Sequence, residues 1–276
     1  MTPIPLLLLS ILALAHAIGD FVLQTESIVV GKQSSLRILG WHVVQHVLTM
    51  AALLVLGGSR LHFAAPGAFP SATETAILVL GIGLVHFLAD RSKILALARW
   101  GHPTRWFLLD QTIHLFTLWA GVRWLIHQHP EWTILSMHPI YVLGQPHPIE
   151  GVGRATLVVA AALLATRGGA LLAWIASRDL RNATPDQAWV AAGLPVHTLR
   201  DQARLARGYG IRLGLLLAVV SLPWWLALIG LAGFATWRLR ALQQMPDLVQ
   251  QFGRRGFAVD LGSAAVLGGL VRVLAG

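Results

Sequence analysis

Histidine and aspartate fill 20 of the 276 positions, and their spacing is not random. Chance would give roughly 1.4 pairs at spacing i, i+4. The sequence has five: His16/Asp20, His42/His46, His86/Asp90, Asp110/His114 and His197/Asp201. Residues four apart share one helix face a turn apart, so each pair offers two ligand-type side chains on one stripe. Imidazole with carboxylate suits a divalent transition metal: zinc first, then iron or manganese. The same groups also serve as general acids and bases.

The elements that must position these pairs are long apolar runs. The chain is 55% hydrophobic and only 12% charged, about half the charge of an ordinary soluble domain. Runs of about 20 apolar residues span a bilayer. They are expected at 1–21, 36–56, 72–97, 105–124, 154–175 and 257–274, with a longer stretch at 211–237 interrupted by Ser221-Leu222-Pro223. The fold class is therefore an all-α polytopic membrane protein with about 6–7 transmembrane helices. Residues 1–125 read as a four-helix bundle, 126–153 as an outer loop, and 154–276 as C-terminal helices with a basic cytoplasmic segment at 178–207. In that segment Thr184-Pro185-Asp186-Gln187 has the form of a helix start. Ala15-His16-Ala17 could pass for a signal-peptidase site, but no basic n-region precedes it.

Loop arginines and lysines set the orientation. Lys32 and Arg37 follow the first run, Arg91, Lys93, Arg99 and Arg105 surround the third turn of the chain, and Arg178 to Arg207 follow the fifth run. The N-terminus is predicted outside. Arg238, Arg240, Arg254 and Arg255 stay inside only if 211–237 forms a hairpin bent near Pro223, which is the preferred reading. The net charge of +9 is assigned to this bias and to anionic lipid, with no nucleic-acid partner expected.

Four of the five pairs fall in the first four apolar runs, where ionisable residues are rare. They come late, early, late and early in successive antiparallel helices, which places them on the same side of the membrane. All four should meet near the cytoplasmic face. Gln24 extends the first stripe by one turn, Lys93 lies three residues after Asp90, and Gln111 adjoins Asp110. The set exceeds the four ligands of one zinc, so either two metals are held or some carboxylates orient the histidines. His–Asp hydrogen bonds that merely join helices are the plainer alternative. His62, His102, His127, His129, His138 and His147 lie in or beside loops and are expected to be solvated.

Absent residues exclude several chemistries. With no cysteine there is no disulfide, thiolate metal site or cysteine nucleophile. There is no His-Glu dipeptide for an HExxH site, no P-loop around Gly31-Lys32, and no GxSxG elbow. His42 and His46 share a face and cannot both be axial haem ligands, although His16 and His114 could.

The motifs His16-x-x-Gly19-Asp20-Phe21-x-Leu23-Gln24, His42/His46, His86-Phe87-Leu88-Ala89-Asp90 with Lys93, and Leu109-Asp110-Gln111-x-x-His114 resemble a bacterial inner-membrane family catalogued as domain of unknown function 3307. The resemblance covers residues 1–120 and implies a multi-pass protein of the inner (plasma) membrane. Further on, Ile211-Arg212 and Thr236-Trp237-Arg238 stand where that family tends to show a Glu-Arg pair and a Lys-Ser-x-x-Arg-like exit. The resemblance carries no activity.

The residues themselves point first to a membrane-embedded metal-dependent hydrolase acting on a lipid or other amphipathic anionic substrate. His16, His42, His46, His86 and His114 are the candidate metal ligands, and Asp20, Asp90 and Asp110 the candidate catalytic carboxylates. Lys93, Arg105, Gln24 and Gln111 are the candidate substrate contacts. A zinc-like ion lowers the pKa of bound water to about 7, supplying a nucleophile at neutral pH. The alternatives are an ion or metal transporter using the same cluster and a non-catalytic scaffold. The sequence does not fix the oligomeric state.

Overall fold

The computed structural model describes residues 3–61, 69–101, 103–132, 139–142, 145–169, 171–172, 202–244 and 247–275. His62, His102, His138, the helix start at Thr184 and the His197/Asp201 pair lie outside them, as does most of the basic segment.

Helix α1 (Pro3–Ile18) consists almost wholly of Leu, Ile and Ala. A helix apolar on every side needs burial on every side, and each residue from Ile4 to Ala13 is buried. It continues into one π-helical turn, Gly19–Leu23. Such turns insert one extra residue and recur at functional sites. A short polar helix, α2 (Glu26–Ser34), leads into α3 (Leu36–Leu61). Helix α4 (Ala72–Trp100) opens on a capping box in which Ser71 and Glu74 satisfy each other's backbone N–H groups. It stops at Gly101, whose φ of 65° admits few other residues. Pro103 then begins α5 (Pro103–Gln128), a position proline favours.

After α5, Pro139–Val142 (β1) pairs antiparallel with Gln145–Pro148 (β2), with Ile140 opposite His147. This hairpin is an addition to the helical architecture. Helix α6 (Ile149–Leu163) ends in a second π turn, Leu164–Gly168. Helices α7 (Gln202–Ser221), α8 (Trp224–Gln243) and α9 (Asp247–Ala275) follow. The break between α7 and α8 falls at Leu222-Pro223, where proline removes a backbone donor.

Among the described residues four helical segments are long and apolar enough to cross a membrane: Ile4–Leu23, Leu36–Gly57, Ala72–Trp100 and Phe257–Leu274. Helix α5 has comparable length but carries Arg105, Asp110, His114 and Arg123.

The helices form two compact bodies, one of residues 1–101, 106–160 and 274–276, the other of 102–105 and 161–273. In the first, Leu8, Leu12, Met50, Leu54, Leu78, Ile82, Leu118, Val122, Leu125 and Trp132 pack into one apolar core. Its outer face is apolar too: Val44, Leu48, Val55, Leu80, Leu84, Leu88, Phe116 and Trp119 are exposed. A water-soluble surface rarely carries so large an apolar patch, whereas lipid accepts it without cost. In the second body Arg212 Nε donates to Asp260 Oδ1 at 2.6 Å, and its Nη1 reaches the Thr166 carbonyl in the π turn at 3.4 Å.

Candidate metal centre

Each i, i+4 pair leaves its helix on one face, and antiparallel packing of the first body's helices brings the four faces together. Asp20, on the π turn, is at the centre. Its Oδ1 lies 3.0 Å from His46 Nε2 and 3.3 Å from His42 Nε2. His86 Nε2 is 3.9 Å from the same oxygen and 3.3 Å from His42 Nε2. Ligands about 2.1 Å from a tetrahedral zinc lie roughly 3.4 Å from one another. These four separations bracket that value, and ligand atoms of all four residues lie within 4.8 Å of one another, close enough to share an ion.

The other Asp20 oxygen faces different partners. Oδ2 lies 3.5 Å from His16 Nε2 and accepts from Gln111 Nε2 at 3.4 Å. The His114 ring packs against His86 and His16, with centroids 4.1 Å and 5.0 Å away. Donor atoms of His16, Asp20 and His114 also converge closely enough to share an ion. All five imidazoles are at most 3% exposed. His16 Nε2, both nitrogens of His114, and Nδ1 of His42, His46 and His86 are buried without a hydrogen-bond partner among the described residues. Leaving a buried polar atom unpaired costs about 1–3 kcal/mol; His16 Nε2 and the His114 nitrogens stand where an ion could be held, whereas Nδ1 of His42, His46 and His86 are not the atoms that face Asp20.

A chain of ion pairs lies beside the histidines. Lys32 Nζ is 2.6 Å from Asp90 Oδ2, Lys93 Nζ is 2.5 Å from Asp90 Oδ1, and the same ammonium is 2.7 Å from Asp110 Oδ2. With its amide oriented to satisfy both neighbours, Gln24 donates to the Asp20 carbonyl at 3.0 Å and accepts from Lys32 Nζ at 2.6 Å. Gln111 Nε2 also reaches Asp110 Oδ2 at 3.3 Å. By formal charge, three carboxylates against two ammonium groups leave the cluster one net negative charge. In a low-dielectric interior that favours a cation.

The sequence candidates therefore divide. The five histidines and Asp20 lie together in a group that could hold metal, Asp90 and Asp110 engage lysines, and Gln24 and Gln111 tie the two layers together. Lys93 is committed to two carboxylates. Arg105 is exposed on α5. Two contributors were not singled out by sequence reasoning. Lys32 entered only as a loop charge, yet it is 8% exposed and paired with Asp90. Gly19 lies against His46, and a Cβ there would collide with the imidazole ring. Its place next to Asp20 was the available signal.

A separate polar group follows α5. His129 stacks on Trp132 with centroids 4.3 Å apart, and its nitrogens meet Glu74 at 2.7 Å and Glu131 at 2.9 Å. Burial opposes its charge, but the hydrogen bonds to Glu131 and Glu74 outweigh that and raise its pKa above the ordinary 6.5.

Fold and site together define a helical protein with membrane-length apolar segments and a buried His/Asp cluster able to hold metal. Residues 8–140 match the model of the family described as "Protein of unknown function (DUF3307)", so this part of the chain resembles that family. The matched span contains every residue of the cluster. No curated protein and no solved structure matches the chain.

Proposed function

We propose that this chain is a multi-pass protein of the bacterial inner membrane, with about 6–7 spans, whose His/Asp cluster is the metal centre of a hydrolase. Its substrate is a lipid or another amphipathic anionic molecule at the cytoplasmic face. The observation that supports this reading best is the convergence of His42, His46 and His86 Nε2 on Asp20 Oδ1 at 3.0–3.9 Å. A bound zinc-like ion would supply Lewis acidity and an activated water at neutral pH.

The surrounding residues then have separate tasks. Asp20 is a ligand. Asp90 holds Lys32 and Lys93 in place. Asp110 Oδ1 is buried without a hydrogen bond among the described residues, and it is the proton acceptor in this reading. The partly exposed edge at Gln24, Lys93 and Gln111 is where a headgroup would approach. A transport path would need polar groups continuing across the bundle, and beyond the cluster Ser10 is the one fully buried polar side chain among the described residues of the first body.

The test uses full-length protein in vesicles of phosphatidylglycerol and phosphatidylethanolamine, with products followed by mass spectrometry. Metal-dependent release of a headgroup or fatty acid is expected. Asp110→Asn should reduce it at least 100-fold, within the range of general acid–base catalysis. Metal-loaded protein that leaves these and extracted native lipids intact would overturn the hydrolase reading.

A further inference from the structure

Asp20 presents its two oxygens to two different sets of imidazoles. Oδ1 faces His42, His46 and His86 at 3.3, 3.0 and 3.9 Å, whereas Oδ2 faces His16 at 3.5 Å. One mononuclear site would leave His16 and His114 unused. Yet these rings are 1% and 3% exposed, and the unpartnered nitrogens on them are buried in the same cluster. The structure thus contains two donor sets that share only Asp20: Asp20 with His42, His46 and His86, and Asp20 with His16 and His114.

We propose that the cluster holds two divalent transition-metal ions about 3.5–4 Å apart, the spacing of two-metal hydrolytic sites, with the Asp20 carboxylate as the bridge. His42, His46 and His86 hold one ion; His16 and His114 hold the other. Asp110 Oδ2 lies 3.8 Å from His114 Nδ1, beyond hydrogen-bond reach, so both nitrogens of this ring stay available as ligands. The second position has fewer protein ligands, and that leaves it open to a substrate oxygen. Two divalent ions also reverse the negative charge of the cluster, so an anionic group is the ligand the filled site favours. The inference rests on the metal-centre part of the proposal above and is independent of hydrolysis.

The test loads full-length protein with cobalt(II), counts bound ions by equilibrium dialysis, and measures metal–metal scattering by X-ray absorption. Two ions per chain are expected, with a vector of about 3.5–4 Å. His16→Gln/His114→Gln, which preserves size and polarity, should bind one ion and lose the vector. His42→Gln/His46→Gln should lose the other ion, and helix content by circular dichroism should be unchanged in both. One ion per chain in the wild type would overturn the proposal, as would two ions without a short vector. Two ions without lipid hydrolysis would leave this inference standing and remove the hydrolase reading. Hydrolysis with one ion would do the reverse.

Discussion

Lys32 and Asp90, 58 positions apart in the chain, meet at 2.6 Å inside the first body. The contact ties the short helix α2 to α4 next to the histidines, and Asp90 also holds Lys93. Asp90→Asn would leave the buried Lys32 without its carboxylate and the half-buried Lys93 with Asp110 alone. Breaking a buried pair by removing one partner costs about 3–5 kcal/mol, and thermal unfolding in detergent should show a fall of roughly 10 °C. The double variant Lys32→Met/Asp90→Asn should recover part of that loss, because one orphaned charge is gone. If Asp90→Asn unfolds like the wild type, the ion-pair chain is not structural.

Gly19 makes a second, sharper prediction. Gly19→Ala places a methyl group into the His46 ring, which must then rotate away from Asp20. Metal affinity should fall about 10–100-fold, the usual range when a ligand loses its orientation. Gly81→Ala meets open space and should leave affinity unchanged. Isothermal titration of both variants with zinc decides it, and equal affinities would remove the steric argument.

The convergence of the four pairs was legible in the sequence because two rules suffice for it. Spacing i, i+4 fixes the face, and alternating direction fixes the end of the bundle. The break at Leu222-Pro223 was legible for the same kind of local reason. What was not legible depends on how separate helices rotate against each other. Nothing in the local pattern says that α2 returns Lys32 to Asp90, or that Lys93 lies between two carboxylates. The π turn at Gly19–Leu23 is also hidden, since an added residue leaves the apolar pattern nearly unaltered. The pairing of Arg212 with Asp260 joins residues 48 positions apart, and no local spacing rule connects them.

His129 provides a pH prediction outside the spans. Its folded-state pKa is raised, so its contribution is fully present below the unfolded value of about 6.5 and is lost as pH rises through the folded value. Glu131 is held below its ordinary 4.5 by a backbone hydrogen bond and by His129. The stability difference between wild type and His129→Gln should therefore be greatest near about pH 5–6 and shrink above. Denaturation curves at several pH values measure it. A difference that grows toward alkaline pH would have the wrong sign.

Orientation is tested by reporter fusions. Fusions after Lys32, after Arg99 and within residues 178–207 should report cytoplasm, and fusions near Ala65 and Trp132 should report periplasm. A periplasmic signal after Arg99 would put the cluster at the opposite face and separate it from any cytoplasmic-leaflet substrate.

The central claim is that the His/Asp cluster binds metal, and elemental analysis of detergent-purified full-length protein tests it most directly. The wild type should carry at least one transition-metal ion per chain. Chelation should lower its unfolding temperature, and zinc should restore it, because a ligand bound only by the folded state adds about 4 kcal/mol at a thousand times its Kd. His42→Ala/His46→Ala should carry less metal than the wild type, losing the ion held on that face, whereas His127→Ala, at an exposed position, should retain the full content. A wild-type protein that stays metal-free after loading, with an unfolding temperature indifferent to zinc, would contradict the account.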